Sequence, residues 1–362
     1  MEIDLAKVGH NARTLVTRLG DRGIAVTGVT KAGLGSVELG RELLAAGVRG
    51  LGDSRIENLE ALRGDDATAR LTLIRTPMLS QVARVVQHAD VSLNSDLAVL
   101  EGLATAARER GTTHEVVLMV ELGDLREGIL PSDLPDAVRA TLRLPGLELV
   151  GIGTNLACRS GVVPDAAKMA ELSTLATAVE AAFDLHLEVV SGGNSANLTW
   201  ALGADDIGRV NDLRLGEAIL LGREPLYRQP LPDLYLDAFT LVAEVIEAKV
   251  KPSLPWGTMA EAAFGVTEPA VDRGLVPQAI LAIGEQDVDP RGVEAPGVTI
   301  VGASSDHLVV TSDDLLPVGS EVRFRPNYSA LLRAMTSPFV HKDVKAAVHA
   351  HPPADPVRLP AA

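Results

Sequence analysis

The chain predicts an α/β architecture: a (β/α)8 TIM barrel followed by a C-terminal antiparallel β domain. Three observations carry this. Strand-like and helix-like segments alternate eight times over roughly the first 220 residues. After Gly222 the alternation stops, and short strand-like runs follow one another with turns between them. The Gly-rich dinucleotide turn that a doubly wound open sheet places after its first strand is absent.

The spacing of apolar residues over 4–20 predicts an amphipathic helix leading into a first strand at 24–31. Further barrel strands are expected at 49–53, 70–75, 90–94, 116–122, 147–155, 186–191 and 208–214. Leu, Ala and Val recur at helical spacing in 35–48, 79–88, 96–110, 132–143 and 164–184. Arg223-Glu224-Pro225 through Pro230-Leu231-Pro232 is a Pro-rich connection. Beyond it, residues 237–251, 278–284, 298–303, 307–312 and 320–326 read as strands of a separate β domain. The domains expected are a barrel over 1–222, a β domain over 223–345 and a disordered tail over 346–362. From His341 onward the chain shows no periodicity, and His349 and His351 there read as solvated.

At 362 residues the chain exceeds one ordinary compact core, and its 46% hydrophobic share supports a large one built without many aromatics, which make up 3%. A net charge of −15 argues against a nucleic-acid partner. Cys158 is the one cysteine, so intramolecular disulfides are excluded and a reducing, cytoplasmic setting is expected. The acidic start Met1-Glu2-Ile3-Asp4-Leu5 has no apolar signal core, and no apolar run approaches ~20 residues, so no membrane span is expected.

Working residues of such a barrel sit at the carboxyl ends of its strands, and polar residues collect there. Lys31 ends the first strand; Asp53, Ser54, Arg55 and Asn58 follow the second. Asp124 and Arg126 follow the fifth, Asn155 the sixth, Ser191-Gly192-Gly193-Asn194-Ser195 the seventh and Arg214-Leu215-Gly216-Glu217 the eighth. A lysine ending a buried strand is either an amine kept for Schiff-base chemistry or one that snorkels to water. The Gly-Gly-Asn-Ser turn is either a helix cap or a phosphate cradle. A lysine, a phosphate cradle and an arginine on three strands of one barrel form a more specific set than any of them alone.

The segments Val29-Thr30-Lys31-Ala32, Gly52-Asp53-Ser54-Arg55-Ile56-Glu57-Asn58-Leu59, Glu121 through Gly128, Gly153-Thr154-Asn155, Ser191 through Ser195, and Leu213 through Glu217 together resemble a fold-type III pyridoxal-phosphate racemase. The resemblance is to the alanine/ornithine racemase branch. It extends into the second domain through Ala282-Ile283-Gly284, Gln286 through Pro290, Gly302 through His307 and Asn327-Tyr328-Ser329-Ala330-Leu331. It implies a pyridoxal 5'-phosphate cofactor and racemisation of ornithine or another basic amino acid by two-base α-proton exchange. Lys31 would hold the cofactor covalently and then shuttle the α-proton. Ser195, with the N–H groups of Gly216 and Glu217, would hold the phosphate, and Tyr328 would touch it too. Arg214 would face the pyridine nitrogen and leave it unprotonated, and Arg126 would lie near the phenolic oxygen. Asn155 stands where alanine racemases carry a histidine, so a stacking role does not transfer. A homodimer with shared active sites is also implied.

One departure concerns the second base. Alanine racemases supply a tyrosine from the partner's β domain in a Gly-Tyr-Ala-Asp-like turn. The comparable turn here is Gly284-Glu285-Gln286-Asp287, and the chain's three tyrosines, Tyr227, Tyr235 and Tyr328, lie elsewhere. Glu285 or Asp287 would serve as the opposing acid/base and meet the substrate's distal ammonium; an ordinary surface turn is the alternative. Cys158 follows the sixth strand and is either a residue near the site or, as free cysteines usually are, a small buried hydrophobe; His307 reads as a structural residue of the β domain, and no convergent metal ligands can be assembled. Competing functions on the same fold are an alanine or broad-specificity racemase, a D-threonine aldolase-like lyase that needs a divalent metal, and a non-catalytic cofactor-binding protein. The last is a single barrel, which the residues after Gly222 argue against.

Overall fold

The computed structural model describes residues 1–261, 264 and 271–345; the expected tail over 346–362, with His349 and His351, lies outside them. The chain begins with a short strand, β1 (Glu2–Asp4), and then a helix, Leu5–Gly20. Asp4 caps that helix, its carboxylate accepting from the Lys7 N–H at 3.1 Å. Val8, Ala12, Leu15 and Leu19 form its buried stripe at helical spacing. Each fully buried Val or Leu there is worth about 1.5–3 kcal/mol, so a charge at Leu15 would detach the helix.

Eight strands then close into a parallel barrel: β2 (Ala25–Val29), β3 (Gly50–Asp53), β4 (Leu71–Leu73), β5 (Val91–Asn94), β6 (His114–Met119), β7 (Leu147–Gly153), β8 (Val189–Gly193) and β9 (Asp212–Leu215). Closure is made by β9 pairing with β2 in the register Ala25↔Asp212 to Gly28↔Leu215. Every strand is followed by helix, as right-handed crossovers require. Among the inward-facing residues, Val91, Leu93, Val117, Met119 and Val150 pack as their own small cluster, separate from the main core between strands and helices. All eight predicted barrel strands are present, with ends shifted by a few residues: 186–191 becomes Val189–Gly193, and 208–214 becomes Asp212–Leu215.

The second domain is a mostly antiparallel sheet. Its strands are β10 (Phe239–Pro252), β11 (Leu275–Leu281), β12 (Val293–Glu294), β13 (Val298–Ala303), β14 (Leu308–Ser312), β15 (Glu321–Pro326) and β16 (Asp343–Lys345). The spatial order is β12-β15-β10-β11-β14-β13. β1 joins this sheet, antiparallel to β10 (Ile3↔Phe239) and parallel to β16 (Ile3↔Val344). The sequence reading put no strand at either place. Residues 343–345 are therefore ordered sheet rather than the start of a loose end. The helix Tyr328–Thr336, capped by Asn327 accepting from Ala330 N–H at 3.0 Å, was also missed. It contacts the turn after β2 and so carries Tyr328 to the barrel mouth. Among the described residues no helix is long and apolar enough to cross a membrane.

Candidate active site

The barrel mouth opens into a cavity of about 470 Å³. Lys31 stands at its wall on a single 3-10 turn, Lys31–Gly33, that follows β2. That turn is tied to β3: the Thr30 hydroxyl donates to Asp53 Oδ2 at 2.8 Å. Asp53 is fully buried and also accepts from the Arg55 N–H at 2.9 Å and Asn58 Nδ2 at 3.0 Å. Asp53 and Asn58 of the polar run after the second strand thus brace the turn that carries the lysine, while Ser54 lines the cavity. Burial holds the Lys31 amine below the usual lysine pKa, so its neutral form is reached at lower pH. Its Nζ lies 5.7 Å from the centre of the Tyr328 ring.

The phosphate-cradle candidates converge on the same cavity. Ser195, Gly216, Glu217 and Tyr328 all line it. Gly193, at φ +143°, lets the chain leave β8 sharply; a Cβ there would lie 2.3 Å from Asn197 Oδ1. The Asn197 amide oxygen instead accepts from the Asn194 N–H at 3.1 Å, and Asn194 Oδ1 accepts from the Ala196 N–H at 2.7 Å. This locks Ser195, whose hydroxyl oxygen accepts from the Ala218 N–H at 3.2 Å and so joins the ends of β8 and β9. A Cβ on Gly216 would press on Val29 Cβ at 3.2 Å, so the backbone there packs closely on the end of β2. Burial raises the Glu217 carboxyl and the Tyr328 phenol above their usual pKa values. Glu217 accepts from Arg228 Nη1 at 2.9 Å.

Arg126, Asn155 and Arg214 complete the set at the cavity wall. Arg126 is paired with the neighbouring Glu127 carboxylate. Arg214 is buried at 6% exposure. Its Nη2 donates to the Thr154 carbonyl at 2.8 Å and to Asn155 Oδ1 at 3.4 Å, and its Nη1 donates to the Ser191 hydroxyl oxygen. Asn155 Oδ1 also accepts from Asn194 Nδ2 at 3.1 Å. The Asn155 Nδ2, by contrast, is buried and has no partner. An orphaned donor beside a buried arginine and a neutralisable amine fits a ring with acceptor atoms and an aldehyde, which is the chemistry of pyridoxal 5'-phosphate.

The sequence reading favours a buried Cys158; it is exposed and lines this cavity. Its backbone is fixed by the buried Asp124, whose carboxylate accepts from the N–H groups of Cys158, Arg159, Ser160 and Val162. Asn194 Nδ2 donates to Cys158 Sγ at 3.4 Å. Arg75 and Arg228 also line the cavity and were not singled out from the sequence. Their loops carry no motif that would have flagged them.

Glu285 and Asp287 are not among the residues lining this cavity. Arg333 Nη1 donates to the Glu285 carboxylate at 2.9 Å and to its carbonyl at 2.8 Å. Asp287, 6% exposed, accepts from the Ser337 hydroxyl at 2.6 Å. His307 lies in an exposed pair with Asp306 at 2.9 Å. Among the described residues no three His, Cys, Asp or Glu side chains converge as a metal site.

A family model described as the alanine racemase N-terminal domain matches residues 3–224. The lysine racemase of Thermotoga maritima is 39% identical over 345 residues, 94% of this chain and 96% of that protein. The ornithine racemase of Acetoanaerobium sticklandii is 37% identical over 349 residues, 94% of this chain and 98% of that protein. The crystal structure of an alanine racemase from Bartonella henselae with covalently bound pyridoxal phosphate superposes with a TM-score of 0.72 at 18% identity, covering 95% of this chain and 98% of that one, which shows a shared fold. A model match over more than half the chain, and relatives aligned across nearly their whole lengths, mean that the chain belongs to the alanine racemase family and is an enzyme of that racemase family.

Proposed function

We propose that the protein is a pyridoxal 5'-phosphate-dependent racemase that interconverts the L and D forms of a basic amino acid, ornithine or lysine. The observation that carries this is the convergence of Lys31, Ser195, Arg214 and Tyr328 on one cavity. The basic substrate is supported by the two relatives that align end to end with the chain, a lysine and an ornithine racemase.

When bound, the cofactor supplies an electron-withdrawing ring that acidifies the substrate's α-proton. Lys31 would hold it and would take or return that proton; burial holds the amine below its usual pKa, which favours the proton-accepting form. Ser195 and the backbone N–H groups of Gly216 and Glu217 bind phosphate, with Tyr328 at the same end. Arg214 offers only N–H donors to the ring nitrogen and keeps it unprotonated. Arg126 and the unpartnered Asn155 amide donor would be available to the ring's oxygen.

The opposite face of the α-carbon needs a second acid/base. Glu285 or Asp287 would supply it from a second copy of the chain in a homodimer with shared sites, as the resemblance to alanine racemases implies; neither lines the cavity of its own chain. Cys158 is the competing group, because its thiol is exposed within the cavity itself.

The test incubates enzyme and cofactor with L-ornithine, L-lysine and L-alanine, followed by chiral chromatography. Ornithine or lysine should racemise at least tenfold faster than alanine; no turnover of either overturns the proposal. Among Glu285→Gln, Asp287→Asn and Cys158→Ser, the variant that removes the second base should lose about 10²–10⁴-fold in kcat.

A further inference from the structure

Arg214 is a cation in the barrel interior, where burial works against its charge. The carboxylate that answers it is two residues back on the same strand. Asp212 and Arg214 alternate with Leu213 on β9 and so point to the same, inward side. Asp212 is 5% exposed, and the guanidinium's hydrogen bonds go to Ser191, Thr154 and Asn155 rather than to its carboxylate. Ser191 lies between them, on β8 opposite Asp212 in the strand register, and is itself 1% exposed.

The direction of each hydrogen bond is fixed by what each group carries. An ionised carboxylate can only accept, so the Ser191 hydroxyl donates to Asp212 Oδ2 at 2.5 Å. A guanidinium can only donate, so Arg214 Nη1 must use a lone pair of the same hydroxyl. The hydroxyl therefore has one available orientation. The second carboxylate oxygen accepts from Thr27 Oγ1 at 2.8 Å, which stops Asp212 from rotating away. The opposite side of the guanidinium is held by the Thr154 carbonyl at 2.8 Å.

We propose that Asp212, acting through the Ser191 hydroxyl, is a positioning residue that holds the Arg214 guanidinium turned toward the cavity. This rests on the racemase reading above, in which Arg214 keeps the cofactor's ring nitrogen unprotonated. Without the relay, Arg214 loses its buried counter-charge and one of its fixed acceptors. The ring nitrogen is then free to take a proton, and charge from the α-carbon spreads into the ring.

The test uses Asp212→Asn, which keeps shape and removes charge, and Ser191→Ala, which keeps the carboxylate and cuts the relay. Holoenzyme absorbance is recorded with and without ornithine or lysine, and apoenzyme is titrated with pyridoxal 5'-phosphate. Both variants should show a substrate-induced long-wavelength band absent from the wild type. Both should lose tenfold or more in kcat with KM within twofold. Cofactor affinity should fall less than fivefold, because the phosphate contacts are untouched. If Asp212→Asn does not fold, Ser191→Ala decides alone. Wild-type spectra and kcat in a folded Ser191→Ala overturn the relay. A wild-type enzyme that shows neither cofactor absorbance nor turnover instead overturns the racemase reading.

Discussion

The barrel mouth and the Gly284–Asp287 turn of the second domain both carry ionisable groups, yet they are built differently. At the mouth, groups from the ends of all eight barrel strands and from the helix Tyr328–Thr336 face one space, and several keep unmet capacity: the Lys31 amine, an unpartnered Asn155 donor, an exposed thiol. In the turn, both carboxylates are engaged within their own domain, Glu285 by Arg333 and Asp287 by Ser337. The difference is that the candidate cofactor residues face a shared cavity, whereas the two carboxylates of the turn are already engaged away from it. Arg333 also holds the turn in place by donating to the Glu285 and Val288 carbonyls.

Removing the amine at the mouth should have the largest effect. Lys31→Ala should abolish borohydride-trapped cofactor in mass spectrometry and lower kcat by more than about 10³-fold. Retained labelling at another lysine would break the assignment of the mouth as the attachment site. Mixing inactive Lys31→Ala with inactive Glu285→Gln subunits tests whether the two regions come from different chains. If they do, random reassociation should restore about one quarter of the activity; no recovery would place the second base within one chain.

Loosening the turn should do less. Arg333→Leu removes a charge-assisted hydrogen bond worth about 1.5–3 kcal/mol, so kcat should fall roughly tenfold while cofactor affinity, measured by absorbance titration, stays unchanged. A change in cofactor affinity would mean that the turn also shapes the mouth.

Mild acid should reach the barrel before the sheet, whose Glu2 and Glu247 carboxyls are held down to about 2 by their lysine and arginine partners. His114 is 1% exposed, bonded to Ser92 at 2.8 Å, and burial pulls its pKa down to about 4. A folded-state value below the unfolded one means full stability above about pH 6.5, lost as pH falls toward 4. The loss should approach the order of 3 kcal/mol in denaturant titrations, and His114→Gln should flatten the profile. The smallest expected effect is that of chelator: rates in EDTA should match those without it, whereas a metal-dependent lyase would lose its activity.

How much of this was legible in the sequence follows from which interactions are local. Barrel strands and their polar ends could be read because strand, turn and helix periodicity are short-range, and Lys31, Ser195 and Arg214 fall at those ends. The strands Glu2–Asp4 and Asp343–Lys345 could not, since three residues carry no periodicity and their partners lie hundreds of residues away. Cys158 was misplaced because the usual burial of cysteine was applied to a residue whose exposure is set by Asp124 capping the loop. Asp212 passed as one polar residue of a strand; only the barrel's closure reveals that it faces inward beside Arg214.

The pairing of β1 with β16 bears on how the molecule melts. The Met1 ammonium donates to the His341 carbonyl at 2.7 Å, and the Asp343 N–H donates back to the Met1 carbonyl at 2.8 Å. The adjoining helix Leu5–Gly20 packs on the barrel, and its buried Asn11 bonds the backbone of Tyr235 in the connection between the domains. Peeling the sheet away would drag this helix off the barrel. Barrel and sheet should therefore unfold in one cooperative calorimetric transition, and neither should survive separation at the linker as an independently stable fragment.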